Sequence, residues 1–285
     1  MPGILYVVAT PIGNLEDVTL RALRVLREAT VIAAEDTRRT ARLLQHYSIS
    51  TPTTSLHEHN EHSRTAKLID RMVAGDSVAL VSDAGTPVIS DPGARLIASA
   101  HERGIRVEPI PGPNAAIAVL SAAGLGGEGF LFAGFPPPRS SARKRWLSAL
   151  ASEPRPIVLY EAPHRIVATL ADISTQMGRR KVTVGRELTK THEELVTRPI
   201  DEWLRSPPPP RGEFTLVITG EEEPSSTLIE SPSDAAVAHF FGRLTENIDL
   251  GRREALRHTA KHFQMTMRAV FAALEREKGR SDDIN

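Results

Sequence analysis

The sequence predicts an α/β protein: two α/β domains followed by a small all-helical, helix-turn-helix-like domain. Three observations carry that prediction. From Ile4 to Ala123, short apolar, β-branched runs alternate with helix-period segments, the pattern of parallel strands joined by crossover helices. A shorter alternation of the same kind runs from Phe130 to Thr219. After an acidic, Ser- and Pro-containing stretch, everything from Asp234 onward is helix-forming. The boundaries read from these shifts are 1–123 and 124–222 for the α/β domains, 223–233 for a linker and 234–285 for the helical tail.

The elements follow in order. Ile4 to Ala9 is a strand that ends in the turn-rich Thr10-Pro11-Ile12-Gly13-Asn14. Leu15 to Glu28 has helical spacing of Leu20, Leu23 and Leu26. Val31 to Ala34 is a strand that delivers Glu35, Asp36, Thr37 and Arg38 at its carboxyl end, and Thr40 to His46 is a short helix. Ser63 to Ala74 is a helix stopped by Gly75. Val78 to Val81 is a buried strand opening into Ser82-Asp83-Ala84-Gly85-Thr86-Pro87-Val88-Ile89-Ser90-Asp91-Pro92-Gly93, with Asp91 as N-cap and Pro92 in the first turn of a helix from Ala94 to Arg103.

That loop is the organising stretch. A simple βα connection needs about two to six residues, and this one spends about ten. It lies where open α/β sheets bind ligands, at the carboxyl end of a strand. Gly85 removes a side chain, Thr86 and Ser90 supply hydroxyls and the prolines stiffen the backbone. Val107 to Ile110 is the next strand, and Pro111-Gly112-Pro113-Asn114-Ala115 feeds the helix Ala116 to Ala123. In the second unit the strands are Phe130 to Phe135, Ile157 to Tyr160, Lys181 to Gly185 and Phe214 to Thr219; the helices are Arg143 to Ala151 and Ile166 to Met177. The tail reads as helices over Ala235 to Leu244, Arg252 to Phe263 and Thr266 to Lys278, the last two joined by a short turn. That is either a helix-turn-helix or a small bundle packed for stability or dimerisation.

Composition excludes several chemistries. With 0 cysteines there is no disulfide, thiol nucleophile or thiolate metal site, which fits a reducing cytoplasm. The amino terminus lacks a basic region and enters a strand directly, unlike a signal peptide, and no apolar run approaches the ~18 residues of a membrane span. The formal net charge is +0, so nucleic-acid contact requires local patches. Arg139 to Arg145, Gly178 to Lys181 and Arg252 to His262 are such patches, or else solvated faces. Gly124-Leu125-Gly126-Gly127-Glu128-Gly129 matches the dinucleotide fingerprint, but with helix before and strand after, the reverse of what that fingerprint requires. The run His57, Glu58, His59, Glu61 and His62 matches no familiar zinc spacing and reads as a loop lining a cleft, with no metal expected. Glu35 and Asp36 are adjacent and point to opposite faces of an extended segment, so one can serve as a general base while the other pairs with Arg38 or Arg39. His57 and His59 are the rival bases.

Five stretches together carry a resemblance: Leu5 to Leu15, Ala34 to Arg38, Ser82 to Pro87, Pro111 to Ala115, and Tyr160-Glu161-Ala162-Pro163-His164-Arg165. In this order they resemble the bacterial ribosomal RNA small subunit methyltransferase I family, within the tetrapyrrole (precorrin-like) methylase superfamily. The resemblance covers residues 4 to about 220, and the tail is similar to that family's helix-turn-helix domain. It implies S-adenosylmethionine held in the cleft between two α/β domains, a homodimer, and 2′-O-methylation of a cytidine ribose in the decoding region of 16S rRNA or the small ribosomal subunit. Carried over by motif, the donor touches Pro11, Ile12 and Gly13; Ala84, Gly85, Thr86 and Ile89; Asn114 and Ala115; and Tyr160 or Glu161, with Leu188. The porphyrin-methylating relatives carry an acid in the central loop where Thr86 stands here, so contacts through that carboxylate do not carry over. The phosphate contacts fall to Arg143, Lys144, Arg145, Arg252, Arg253, Arg257 and Lys261. A tetrapyrrole-type small-molecule methylase is the alternative, with no use for a basic tail. A ligand-sensing helix-turn-helix regulator is a third reading, with no use for so many reactive groups at strand ends.

Overall fold

The computed structural model describes residues 2–125, 127, 129–219, 233–246, 251–263 and 265–282. The expected linker, except Ser233, lies outside them, as do Gly126 and Glu128 of the glycine run and Gln264 of the tail's turn. The chain forms two compact units, Met1–Glu222 and Glu223–Asn285.

The first unit opens with a parallel sheet of β1 (Ile4–Val8), β2 (Val31–Ala34), β3 (Thr53–Ser55), β4 (Val78–Val81) and β5 (Arg106–Ile110), in the order β3-β2-β4-β1-β5. Strand side chains alternate faces, and β2 demonstrates it. Ile32 and Ala34 pack with α1 (Leu20–Glu28) and α2 (Thr37–His46), whereas Val31 and Ala33 pack with α3 (Glu61–Val73) and α4 (Ala94–Glu102). All the side chains of β2 and β4 are buried, which is why these strands read as unbroken apolar runs.

Capping moves three expected boundaries. The expected helix from Leu15 is only a 3-10 turn, Leu15–Asp17, after which Val18 is extended and the Thr19 hydroxyl accepts from the Ala22 N–H to start α1. Helix α2 starts at Thr37, not Thr40, because the Asp36 carboxylate caps it. The third change is a correction: Asp91 is not the cap of α4. The cap residue is Gly93, and the Gly93 and Arg95 N–H groups donate 3.1 Å bonds to the Glu61 carboxylate from α3. One helix therefore supplies the anion for the next helix's amino terminus, and Asp91 is released for another task.

The second sheet is mixed. Strands β6 (Leu131–Gly134), β7 (Ile157–Glu161), β8 (Lys181–Arg186), β9 (Glu194–Pro199) and β10 (Phe214–Ile218) take the order β6-β7-β10-β8-β9, with only β6 and β7 parallel. Helices α6 (Ser140–Leu150), α7 (Ile166–Met177) and α8 (Ile200–Arg205) cover one face, where Trp203 donates its Nε1–H to the Val182 carbonyl at 2.8 Å. The other face is covered by α5 (Ala115–Ala122), through Ala116, Val119 and Leu120 on Val158 and Val217. Thus the helix that follows the first sheet packs on the second. Neither β9 nor α8 is legible in the sequence. Most of β9 is half-exposed or exposed and is held by its ladder with β8, not by an apolar face.

The second unit is a bundle of α9 (Asp234–Glu246), α10 (Arg252–His262) and α11 (Met267–Asp282) around Val237, Ala260, Val270 and Ala273. The Thr266 hydroxyl accepts from the Ala269 N–H at 3.1 Å and starts α11. Among the described residues, no helix is long and apolar enough to cross a membrane.

One expected phosphate contact is corrected here. Arg143 is 5% exposed, and its Nε–H donates to Asp172 at 2.7 Å between α6 and α7. It is an internal cation and cannot reach a nucleic acid. Its neighbours Lys144 and Arg145 are exposed. Replacing Arg143 with Ala strands Asp172 with only Lys144 at 3.8 Å for charge, and the expected loss is about 3–5 kcal/mol of unfolding free energy, measured by denaturant titration. Arg145→Ala is expected to cost less than about 0.5 kcal/mol in the same measurement.

Candidate functional site

The loops after β1, β4 and β5 meet at one edge of the first sheet. The first and central loops are joined by a two-residue bridge: the Thr10 N–H donates to the Gly85 carbonyl at 2.8 Å, and the Gly85 N–H returns the bond at 3.0 Å. The Thr10 hydroxyl adds a bond to the Ser82 carbonyl. Thr86 donates its hydroxyl to the Pro113 carbonyl at 3.2 Å, tying the central loop to the third. From the second sheet, the Thr189 hydroxyl accepts from the Asn14 N–H at 2.9 Å. Gly13 sits so close to this loop that a Cβ would fall 2.7 Å from the Thr189 hydroxyl and 2.8 Å from the Leu188 carbonyl. At Gly85 a Cβ would be 3.4 Å from Ile12, so the demand for glycine there comes from its φ of +81°.

These ties enclose a cleft of about 300 Å³ between the two sheets, within the range of small-molecule sites. The first sheet's side supplies Ile12, Glu35, Arg39, Asp83 to Thr86, Ile89 to Asp91, Asn114 and Ala115. The second supplies Phe135, Tyr160 to Pro163, Leu188 and Glu213 to Thr215. Tyr160 is braced edge-on by Phe132, with ring centroids 5.1 Å apart. The backbone is strained around the cleft. Of the non-glycine residues at positive φ, Val88 and Ser90 lie in the central loop and Glu187 and Thr189 in the loop after β8; only Ser48 is elsewhere among the described residues. Such strain persists where surrounding structure enforces it, and it concentrates at functional sites.

Acids dominate the polar lining. Glu35, Asp83 and Asp91 face the cleft against the single guanidinium of Arg39, which lies 3.4 Å from Asp83. Burial raises the Glu35 carboxyl above its ordinary value, and the Asp83 backbone N–H, donating to Glu35 Oε2 at 3.3 Å, offsets part of that. Burial, then repulsion from Glu35, pushes Asp91 up to about 6. Asp36 behaves oppositely. It takes hydrogen bonds from the Arg38 side chain and N–H, lies at about 2 and lines neither this cleft nor its neighbour.

The predicted residues therefore separate. Ile12, Ala84, Gly85, Thr86, Ile89, Asn114, Ala115, Tyr160, Glu161, Leu188 and Glu35 all border the cleft. Pro11 and Gly13 border an adjoining cavity instead. Two bordering side chains are already committed. The Asn114 Oδ1 caps α5 through the Ala116 and Ile117 N–H groups. The Glu161 carboxylate is fully buried on Arg165, Thr169 and the Ala162 N–H. His57 and His59 border neither cavity: His57 Nε2 contacts Asn60 Nδ2 at 3.0 Å, and the rings sit 6.0 Å apart. They are not brought to the cleft. Asp83, Asp91, Arg39, Phe135 and Glu213 were missed. The Asp-Pro-Gly at 91–93 looked like a helix start, and only the competing cap from Glu61 reveals otherwise.

A family profile described as Tetrapyrrole (Corrin/Porphyrin) Methylases matches residues 4–203. The chain is similar to "Ribosomal RNA small subunit methyltransferase I" of Synechocystis sp., 51% identical over 78% of this chain and 82% of the relative. It is 43% identical to the protein of the same name from Halalkalibacterium halodurans over 96% of each chain. Its fold is similar to the crystal structure of uroporphyrin-III C-methyl transferase from Thermus thermophilus complexed with S-adenyl homocysteine, at a TM-score of 0.55 and 19% identity over 76% of this chain and 97% of that one.

Asp91 yields a pH prediction. A carboxyl whose folded-state pKa is raised stabilises the fold below its ordinary 3.8, and that contribution is lost as pH rises through about 6. At neutral pH the ionised Asp91 is a net cost. Asp91→Asn is expected to raise unfolding free energy at about pH 7.5 by on the order of 1 kcal/mol, solvent screening of this partly exposed group allowed for. The gain is expected to vanish below about pH 4. Denaturant titrations at both pH values check it.

Proposed function

The chain belongs to the ribosomal RNA small subunit methyltransferase I family of the tetrapyrrole methylases, and from that premise we propose that it moves a methyl group from S-adenosylmethionine to the 2′-hydroxyl of a cytidine ribose in the decoding region of 16S rRNA. The observation that carries this reading is the acid-lined cleft between the two sheets. S-adenosylmethionine is a sulfonium cation with an ammonium group and a flat base. Glu35, Asp83 and Asp91 suit the cations, and Ile12, Leu188 and the Tyr160 ring suit the flat apolar surface. The same fold holds S-adenyl homocysteine in the uroporphyrin-III enzyme. In this reading Gly85 and Ala84 let the donor approach the backbone, and the Ala115 N–H lies at the start of α5.

The donor, when bound, supplies an electrophilic methyl on sulfur. The protein must align the acceptor oxygen with it and take the oxygen's proton. Glu35 is the base in this proposal. It borders the cleft, its carboxyl is anchored by the Asp83 N–H, and burial raises its pKa toward the working pH. Asp36, at about 2 and bound to Arg38, is too weak a base and serves as a helix cap. In this reading the RNA's phosphates are offered exposed cations on each unit separately: Lys144 and Arg145 on α6, and Arg252, Arg253, Arg257 and Lys261 on α10. The enzyme acts as a homodimer in this reading, which sedimentation tests.

Glu35→Gln is expected to slow single-turnover methylation of small-subunit rRNA by about 10²–10⁴ and to weaken donor affinity far less, because the amide keeps the shape and the cleft retains Asp83 and Asp91. Asp36→Asn is expected to change the rate less than about threefold and to lower stability modestly. Nuclease digestion and mass spectrometry of the labelled nucleoside identify the modified atom. A Glu35→Gln enzyme at wild-type rate removes the base from the mechanism.

A further inference from the structure

A second cavity of about 400 Å³ adjoins the cleft, and the two share Ile12, Arg39, Asp83, Ala84 and Glu213 as a common wall. Its charge is opposite in kind. The acid pair Glu35 and Asp91 borders only the first cavity, whereas Arg42 and Lys190 border only the second. Arg39 stands 3.4 Å from Asp83, and Lys190 is held by Glu187 at 2.9 Å and Glu213 at 3.0 Å. Arg42 is different. It lies one turn beyond Arg39 on α2, is exposed, and makes no hydrogen bond or ion pair among the described residues. The acids lining this cavity are thus already matched by Arg39 and Lys190, and one guanidinium is left over.

We propose that this second cavity is the acceptor subsite, in which Arg42 binds the phosphate next to the ribose being methylated. The inference rests on the rRNA reading above and specifies where the nucleotide sits. An acceptor oxygen must come within about 3–3.5 Å of the donor methyl, so its subsite has to share a wall with the donor cleft, and this cavity does. A guanidinium offers a phosphate two parallel N–H donors. Thr10, Thr40 and Ser82 also line this cavity, beside the apolar Pro11, Leu15 and Leu43, a mixed surface that a sugar-phosphate can occupy.

The test uses the full-length protein with small ribosomal subunits or their rRNA. Arg42→Ala, Arg42→Glu and Arg42→Lys are compared for RNA KM, for its salt dependence and for S-adenosylmethionine affinity by calorimetry. Arg42→Glu is expected to raise RNA KM by about tenfold or more, and Arg42→Ala by about three- to tenfold. Arg42→Lys is expected to recover part of the loss, because it keeps charge without the fork. The slope of log KM against log salt is expected to fall by about 0.7, one phosphate's worth, in the Ala variant. Donor affinity is expected to stay within about twofold, since Arg42 does not border the first cavity. A wild-type enzyme that labels rRNA ribose while all three variants match its KM and salt slope overturns this inference alone. A wild type that leaves rRNA ribose unlabelled overturns the proposed function and this inference with it.

Discussion

The reciprocal hydrogen bonds between Thr10 and Gly85 are the constraint from which the site follows. They join the loops after β1 and β4, neighbouring strands whose carboxyl ends would otherwise carry two independent connections. Because the bridge uses backbone atoms only, it spends no side chain, and the lining residues remain available to the cleft. It also demands a backbone at φ +81° at position 85, which glycine adopts without penalty. From that joint, the Thr86 hydroxyl reaches the third loop and the Asn14 N–H reaches the loop after β8. The strained residues Val88, Ser90, Glu187 and Thr189 lie in the loops held this way.

The carboxylates in and around the cleft fall into two groups. Asp36, Glu161 and Glu187 are matched by Arg38, Arg165 and Lys190, and these pairs hold helix starts and loops in place. Glu35 and Asp91 are partly desolvated, without a cation of their own, and burial raises both. An arrangement of this kind weakens the empty protein and is retained where a ligand supplies the missing charge. A cationic methyl donor is such a ligand. The adjoining cavity adds Arg42 and Lys190, so the two compartments differ in charge, as the proposed cationic donor and anionic acceptor require.

Packing gives the cleft its rigidity. Helix α5 begins at the third loop of the first sheet and packs its Ala116, Val119 and Leu120 on the second sheet. The cap on α5, Asn114, is itself a lining residue. Any shift of one sheet against the other would have to break this apolar contact, so the helix start and the cleft wall are positioned together.

The sequence by itself determined the parallel first sheet, most helix positions and the candidate loops, because those features are written in local periodicity and turn chemistry. The runs at β2 and β4 are apolar throughout since both faces are buried, and no partner need be known to read them. Extended-chain alternation also led to the expectation that only one of Glu35 and Asp36 serves the cleft, and only Glu35 borders it. Which of them borders the cleft was decided by tertiary structure: the distant Asp83 N–H donates to Glu35, whereas Asp36 takes the local pairing with Arg38 that the sequence offered. Tertiary structure likewise withdrew Arg143 into a pair with Asp172, a residue 29 positions away, from a basic run that looks uniformly exposed. It kept His57 and His59 away from the cleft, and it added β9 through pairing with β8 rather than through any apolar pattern of its own. Asp91 shows the reason most plainly. Its local sequence is a helix cap, but the carboxylate of Glu61, 32 residues before Gly93, takes that position. A contact between distant residues leaves no periodic trace, so the chemistry of a side chain can be read locally and its partner cannot.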